Sequence, residues 1–393
     1  MGSNPLWEPS RQKVEDFLTG LLFIFFLVKI SLMDTSLRRR VALIFVIISL
    51  STGVIIGLIV NSVITNRVIH ETQERVKEAL NTARWVYASR LNDIDRTIHL
   101  TSIRYILKGA LEQEKVLSVK DDLTRLMTEE GLDFLTLLDR KGTVLLRVHH
   151  PGMSGDSLKD DPFVKEALYN KGVSGTQVLS RDELSREGKA LAEKAEFPLV
   201  PTPKEKPIEK LSQTSGMVLK SAYPVVDAKG KVLGVLVGAV LLNRNYEIVD
   251  RIKNIVFRDA KYKGKEIGTA TIFLGEWRIS TNVMDKEGHR AVGTRAMKEV
   301  QEQVLQSGLP WVQRAYVVDD WYITAYEPIR DFRDKIVGML YVGILETKYT
   351  VLKERLILLF MLGMLASVAI SSFLSFKILK REFWENLKSD QKQ

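Results

Sequence analysis

The stretch "AYEPIRDFRDKIVGMLYVGIL" fills residues 325–345, and "AYPVVDAKGKVLGVLVGAVLL" fills residues 222–242. Each opens on Ala-Tyr and sets a Pro within the next two residues. Each then passes a polar turn, 227–230 or 331–334, into Lys, two branched apolar residues, Gly and a β-rich run. Apolar runs on both sides of a short polar turn predict antiparallel strand pairs. Two such phrases about a hundred residues apart predict two α+β units in series, each closed by one of these pairs. Gly234 and Gly338 fall at matching points, where a missing side chain allows a bend or close packing. The second phrase leads within a dozen residues into an uncharged run, 356–376.

That run has a counterpart. Residues 41–66 also carry no charge and are mostly Val, Ile and Leu. A bilayer core needs about 20 apolar residues as helix, so membrane helices are expected at 41–63 and 356–376. Arg38, Arg39 and Arg40 precede the first; Lys377, Lys380 and Arg381 follow the second. Basic flanks stay in the cytoplasm. The expected arrangement is a two-pass protein of a bacterial inner membrane with its main domain outside. A net charge of +9 invites a nucleic-acid reading. The basic residues are scattered, however, and their tightest cluster abuts an apolar run, so no nucleic-acid partner is expected. The chain has no cysteine, which excludes disulfides, thiolate metal sites and a cysteine nucleophile. Residues 1–40 read as a cytoplasmic segment. Within it, 17–33 is a short apolar stretch containing Lys29 that reads as a third span, a signal-like segment or an interfacial helix, and Met33 reads as an alternative start, which would make residues 1–32 a dispensable extension.

Between the spans, 64–112 has few breakers. Ile69, Thr72, Val76, Ala79, Ala83, Val86, Leu91, Ile94 and Ile98 recur at spacings near three and four. One long helix with an apolar stripe is expected, part of it facing a second copy in a homodimer. Gly53 and Gly57 form a small-residue pair for helix contact. A hairpin is predicted over 132–150, a short helix at 161–172, and a proline-rich excursion at 196–210. Further on, a helix is predicted at 244–257, strands at 267–274 and 277–283, a helix at 293–307, and strands near 311–318 and 321–329. The resulting division is a membrane-distal unit at 113–245, a membrane-proximal unit at 246–347 and a cytoplasmic tail at 377–393.

"RISTNV" (278–283), "HRAVGTRA" (289–296), "VLQSGLPW" (304–311), "DWYITAYEPIRD" (320–331) and "VGMLYVGI" (337–344) resemble the membrane-proximal part of double-Cache sensors. "DRKGTVLLRVHHP" (139–151) and "GDSLKDDPFVKEAL" (155–168) are similar to the distal part of that family. The resemblance implies an α+β fold: two tandem Cache (PAS-like) units with antiparallel sheets on a long N-terminal helix, flanked by two transmembrane helices. It implies a small-molecule sensor of the kind found in histidine kinases and chemoreceptors, with ligand held between a sheet face and its cover. Only 17 residues follow Phe376, and the five histidines all fall between the spans. The expectation is therefore a sensor without a transmitter, working with a cytoplasmic kinase or coupling partner. The alternative is an anchored binding or scaffold subunit that passes no signal.

In the distal unit, Arg147 and His149 stand two apart on a predicted strand and so share a face. Asp156 and Ser157 follow at its rim. A buried Arg needs an anion. Either a small carboxylate ligand supplies it, or Asp156 or Asp161 does so internally. In the proximal unit, Arg278, Thr281, Arg295, Trp311, Tyr322 and Tyr326 supply cations, a hydroxyl and aromatic walls, which suits a small-ligand pocket and equally suits plain sheet packing. Arg290 near Arg295 would either attract an anion or sit apart on the surface, and Gly293 and Thr294 before a helix would either aim backbone N–H groups at an anion or simply cap the helix. No catalytic order of residues stands out, so no enzyme, cofactor or metal is expected.

Overall fold

The computed structural model describes residues 37–200, 212–258, 260–262, 264–346, 355, 357–366, 369, 370 and 373. The segments 1–36, 201–211, 347–354 and 374–393 lie outside the described residues. The expectations placed there are the extension, most of the proline-rich excursion and the tail. The chain divides into two compact units, Met1–Arg67 with Thr350–Gln393, and Val68–Tyr349.

Helix α1, Leu37–Ser102, contributes to both units. In the first, a Cβ placed on Gly53 would lie 2.3 Å from Met364 Sδ, and one on Gly57 would lie 3.3 Å from Phe360. The two small residues thus admit bulky side chains of a second helical stretch. Ile55, Leu58, Leu358, Leu359, Leu362 and Leu365 are exposed. Among the described residues no helix is long and apolar enough to cross a membrane. The expected spans 41–63 and 356–376 fall in part on residues whose placement or side chains are outside the described set.

In the second unit, Thr72, Val76, Ala79, Ala83, Val86, Ile94 and Ile98 of α1 are buried at helical spacing. The helix stops at Ser102 rather than running to 112. There the Thr101 and Ser102 hydroxyls donate to the carbonyls of Thr97 and His99, and Arg104 turns extended. Helices α2 (Tyr105–Glu112) and α3 (Lys120–Glu129) follow. Strands β1 (Phe134–Asp139) and β2 (Val144–Arg147), helix α4 (Pro162–Leu168), strand β3 (Val173–Leu179), and helices α5 (Arg181–Glu187) and α6 (Lys189–Ala195) come next. The two-residue strands β4 (Phe197–Pro198) and β5 (Ser212–Gln213) lead to β6 (Gly216–Val226) and β7 (Val232–Leu241). After helix α7 (Glu247–Phe257) stand β8 (Lys261–Tyr262), β9 (Lys265–Glu266), β10 (Gly268–Leu274) and β11 (Trp277–Thr281). A single turn, α8 (Lys298–Val300), continues as a π-helical stretch to Gln306, so the helix expected from 293 begins five residues later. Strands β12 (Trp311–Val317), β13 (Asp320–Arg330) and β14 (Ile336–Leu345) close the unit.

Ten of the strands form two five-stranded antiparallel sheets, ordered β2-β1-β7-β6-β3 and β11-β10-β14-β13-β12, and β4–β5 and β8–β9 form two small pairs. The orders correspond position by position. The two repeated phrases are β6–β7 and β13–β14. In both turns an aspartate carboxylate accepts two backbone N–H groups: Asp227 from Lys229 and Lys231, Asp331 from Arg333 and Lys335. A bulge sits just before each turn, at 225/226 and 329/330. A Cβ on Gly234 would stand 2.3 Å from the Leu138 carbonyl oxygen, and one on Gly338 would stand 1.9 Å from that of Phe273. Each glycine therefore permits a close approach to the neighbouring strand.

Alternation gives each sheet two unlike faces. Leu135, Leu137, Leu219 and Leu236 of the first sheet, and Ile272, Ile323, Leu340 and Val342 of the second, join the α1 stripe and Ile248, Val249 and Ile252 of α7 in one apolar core. The opposite face of the first sheet lies under α4, α5 and α6. That of the second sheet lies under residues 283–304, with Ala291, Ala296, Val300 and Val304 packed on it. These covered faces hold the polar and charged side chains.

Candidate functional site

On the first sheet, β2 ends at Arg147 and carries its side chain onto the covered face opposite Thr136. The guanidinium is 1% exposed and every edge is used. Its Nε donates to Glu187 Oε1 at 3.0 Å. Its Nη1 and Nη2 donate to the two Asp156 oxygens at 2.6 and 2.9 Å, and Nη1 also reaches the Met153 carbonyl at 2.9 Å. Thr136 donates to the second Glu187 oxygen at 2.6 Å. Burial works against the Arg147 charge, but Asp156 and Glu187 outweigh it and hold its pKa up. The hydrogen bond from Arg147 in turn holds the Asp156 carboxyl below its usual range.

A second buried pair lies on the same face. Lys220 donates to Asp161 Oδ2 at 2.7 Å and to Gln177 Oε1 at 3.0 Å. Asp161 caps α4, accepting from the Phe163 and Val164 N–H groups at 3.0 and 3.1 Å. Burial pushes the Asp161 carboxyl up, and Lys220 more than reverses it, leaving the pKa lowered. The cavity among these groups is only ≈ 30 Å³, room for about one water.

Of the residues expected there, Arg147 and Asp156 are brought together. Ser157 is exposed and accepts a long bond from Lys159 N at 3.4 Å. His149 lies two residues past the end of β2, exposed, with its ring beside Gly188. It does not share the strand face with Arg147, because the strand has already ended. Glu187, Lys220 and Gln177 were not foreseen. Glu187 stands 40 residues from Arg147 on another element, and no spacing rule joins them.

On the second sheet, Arg278 of β11 projects onto the covered face opposite Phe273. It too is 1% exposed. Its Nη1 donates to Thr294 Oγ1 at 2.7 Å and to the Arg295 carbonyl at 3.0 Å. Its Nε is buried with no partner, and the side-chain bonds it makes to described residues all come from Nη1. No described carboxylate lies within ion-pair distance. Its Cζ sits 5.0 Å above the Phe273 ring. Burial lowers its pKa, and only the weaker influence of Tyr326, Tyr341 and Tyr322 acts the other way.

Those aromatics form the wall. Tyr326 and Tyr341 pack at 4.7 Å between centroids, and Phe273 meets Tyr326 at 6.0 Å. Burial pushes the Tyr322 and Tyr326 hydroxyls up, and that of Tyr341 to about 12, so all stay neutral. Trp311, paired across strands with Tyr326, buries its Nε1–H without an acceptor. Thr281 exchanges a 2.6 Å hydroxyl contact with Thr271. Arg278, Thr281, Trp311, Tyr322 and Tyr326 are therefore spread over one face. Arg295 belongs to its rim: it pairs with Glu276 at 2.6 Å and stacks 4.8 Å over Trp277. Arg290 is bound to Asp250 at 2.8 Å. Thr294 serves Arg278 rather than a helix end, since α8 is preceded by Met297. Phe273 and Tyr341 complete the wall. Their alternation with Ile272 and Leu340 was the available signal. Among the described residues no cluster of His, Asp and Glu is placed to hold a metal ion.

Residues 240–355 match the family Single cache domain 3. The match takes in the whole second sheet and its cover, and so contains the Arg278 face. No curated protein matches the chain. Among solved structures, the periplasmic domain of Vibrio cholerae LuxQ is similar at 11% identity and a TM-score of 0.41, covering 68% of this chain and 98% of that one. The sensor domain of the Vibrio cholerae histidine kinase DctB is similar at 13% identity and a TM-score of 0.37, covering 71% and 98%. The ligand-binding domain of a Campylobacter jejuni chemoreceptor, in complex with L-valine, is similar at 10% identity and a TM-score of 0.36, covering 74% and 97%.

Proposed function

We propose that this chain is a membrane-anchored extracytoplasmic sensor built of two tandem Cache units, and that a small molecule binds on the covered face of the second sheet. The observation that carries the proposal is Arg278. A hydrophobic core has no use for a buried guanidinium with an unfilled Nε–H, because such a group costs free energy. A binding face does. Its location within the Cache match supports a sensory role for the site. The corresponding face of the first sheet is filled by its own ion pairs and acts as the more rigid partner.

Anchoring is supported by the uncharged runs and their basic flanks, and by the outward-facing leucines of the first unit. Ligand would tighten the cover over the second sheet, shift β13–β14 and move the helix that follows. It can do so only by its differential affinity for the two states. A homodimer and a separate cytoplasmic kinase or coupling protein complete the signalling path in this proposal.

Binding is tested by thermal unfolding of the full chain in lipid nanodiscs against a library spanning acids, amines, amino acids and neutral compounds. A ligand at a hundredfold excess over its Kd stabilises the folded state by about 2.7 kcal/mol, a readily measured rise in Tm. A library in which no class of compound raises Tm would remove the sensor proposal.

A further inference from the structure

Two arginines occupy the covered faces of two equivalent edge strands, β2 and β11, and their surroundings differ in one respect. Arg147 has five hydrogen-bonding directions and meets two carboxylates plus a carbonyl. Arg278 uses only its Nη1, on a hydroxyl and a carbonyl. The Nε–H and Nη2–H edge of a guanidinium is a planar fork that matches the two oxygens of a carboxylate. In Arg278 that edge is the unfilled one, with Nε buried and unpartnered.

We infer that the ligand of the second sheet is a small organic monoanion, a carboxylate gripped side-on by Arg278, and that it carries no ammonium group. The assignment rests on the sensor reading above and names its ligand class. Charge balance sets the monoanion. One buried cation compensates one negative charge, and a dianion such as phosphate would leave a second charge buried and unpaired. The acidic groups around the sheet exclude the ammonium. Glu276 is held by Arg295, Asp319 and Asp320 by Lys265, and Glu346 by Arg314. An amino acid would place its amine where no buried described carboxylate is free to meet it, since Glu299 of the cover is exposed. The remaining wall is aromatic and neutral, which suits an apolar body.

The test uses matched probes on the full chain in nanodiscs: acetate, 3-methylbutanoate and phenylacetate, each against its amide and its α-amino counterpart (glycine, valine and phenylglycine). At least one carboxylate is expected to bind at least tenfold more tightly than both its partners. Arg278→Met is expected to weaken that binding by about 30-fold or more, the loss typical when one member of a buried charged contact is removed. It should also melt, without ligand, at or above the wild-type temperature, because it deletes an uncompensated charge. Arg278→Lys keeps the charge, loses the fork, and should bind the carboxylate more weakly than wild type. Equal binding of the amide or amino acid overturns the assignment, as does carboxylate binding that survives Arg278→Met. An Arg278→Met protein melting well below wild type would make Arg278 structural and overturn it too. If only amines, amides or amino acids bind, and Tyr326→Ala abolishes it, sensing at this face stands and the anion falls. If no probe of any class binds, both fall.

Discussion

Arg147 and Arg278 are equally buried, yet opposite outcomes are expected when each becomes methionine. Arg147→Met strands Glu187, which is 8% exposed and has only the Thr136 hydroxyl left, while Asp156 retains contact with water. Breaking a buried pair costs about 3–5 kcal/mol. The lower end applies here, since one of the two carboxylates can be rehydrated. Chemical denaturation of the full chain should therefore show Arg147→Met destabilised by about 3 kcal/mol. A midpoint unchanged from wild type would mean that the Glu187–Arg147–Asp156 cluster contributes no net stability. The sequence already sets Asp156 within reach of Arg147 as an internal partner and aromatics around Arg278. What the sequence does not show is the arrival of Glu187 from α5, a long-range contact that neither spacing nor residue type encodes. The same holds for Lys220 and Asp161, 59 positions apart.

At the scale of elements, local chemistry was enough to read most of the sheet architecture. The two phrases at 222–242 and 325–345 became matching hairpins because alternation fixes the faces and an Asp at the turn satisfies two N–H groups in each. The α1 stripe was legible for the same reason of periodicity. The helix end at Ser102 was not, because it depends on hydroxyls turning back on their own carbonyls. The cover over the second sheet was overextended in sequence because Gly293 and Thr294 look like a helix start. They are instead a loop in which Gly293 N–H donates to the Arg278 carbonyl at 2.9 Å and the Arg278 N–H donates to Thr294 at 3.0 Å. Gly338 offers a direct check on the hairpin. Its Cβ would enter the Phe273 carbonyl, which is fixed in the β10–β14 ladder, and Met217 Cε lies 2.8 Å away. Gly338→Ala should cost about 1–3 kcal/mol, the usual penalty for overpacking, read as a lowered denaturation midpoint with unchanged slope. Wild-type stability in that variant would show that the strands can part without cost.

For the whole molecule, orientation decides which solution the Arg278 face samples. If the Arg278 face takes a free organic acid from outside the cell, as proposed, Val68–Tyr349 must be translocated. The charge pattern favours that, since Arg38, Arg39 and Arg40 would be retained on the cytoplasmic side and long segments cross regardless of their own charge. The absence of cysteine makes the orientation measurable on an otherwise unaltered chain. Tyr169 follows α4 and is 76% exposed, so Tyr169→Cys installs one accessible thiol with no core contact to lose. In spheroplasts, a membrane-impermeant maleimide should label this variant fully before lysis, and wild type not at all. A second thiol placed in the basic flank, Arg39→Cys, should react only after the membrane is opened. Labelling of Tyr169→Cys that waits for lysis would put the second unit in the cytoplasm. The Arg278 face would then meet intracellular metabolites, and the extracytoplasmic sensor would have to be abandoned even if carboxylates bind as expected.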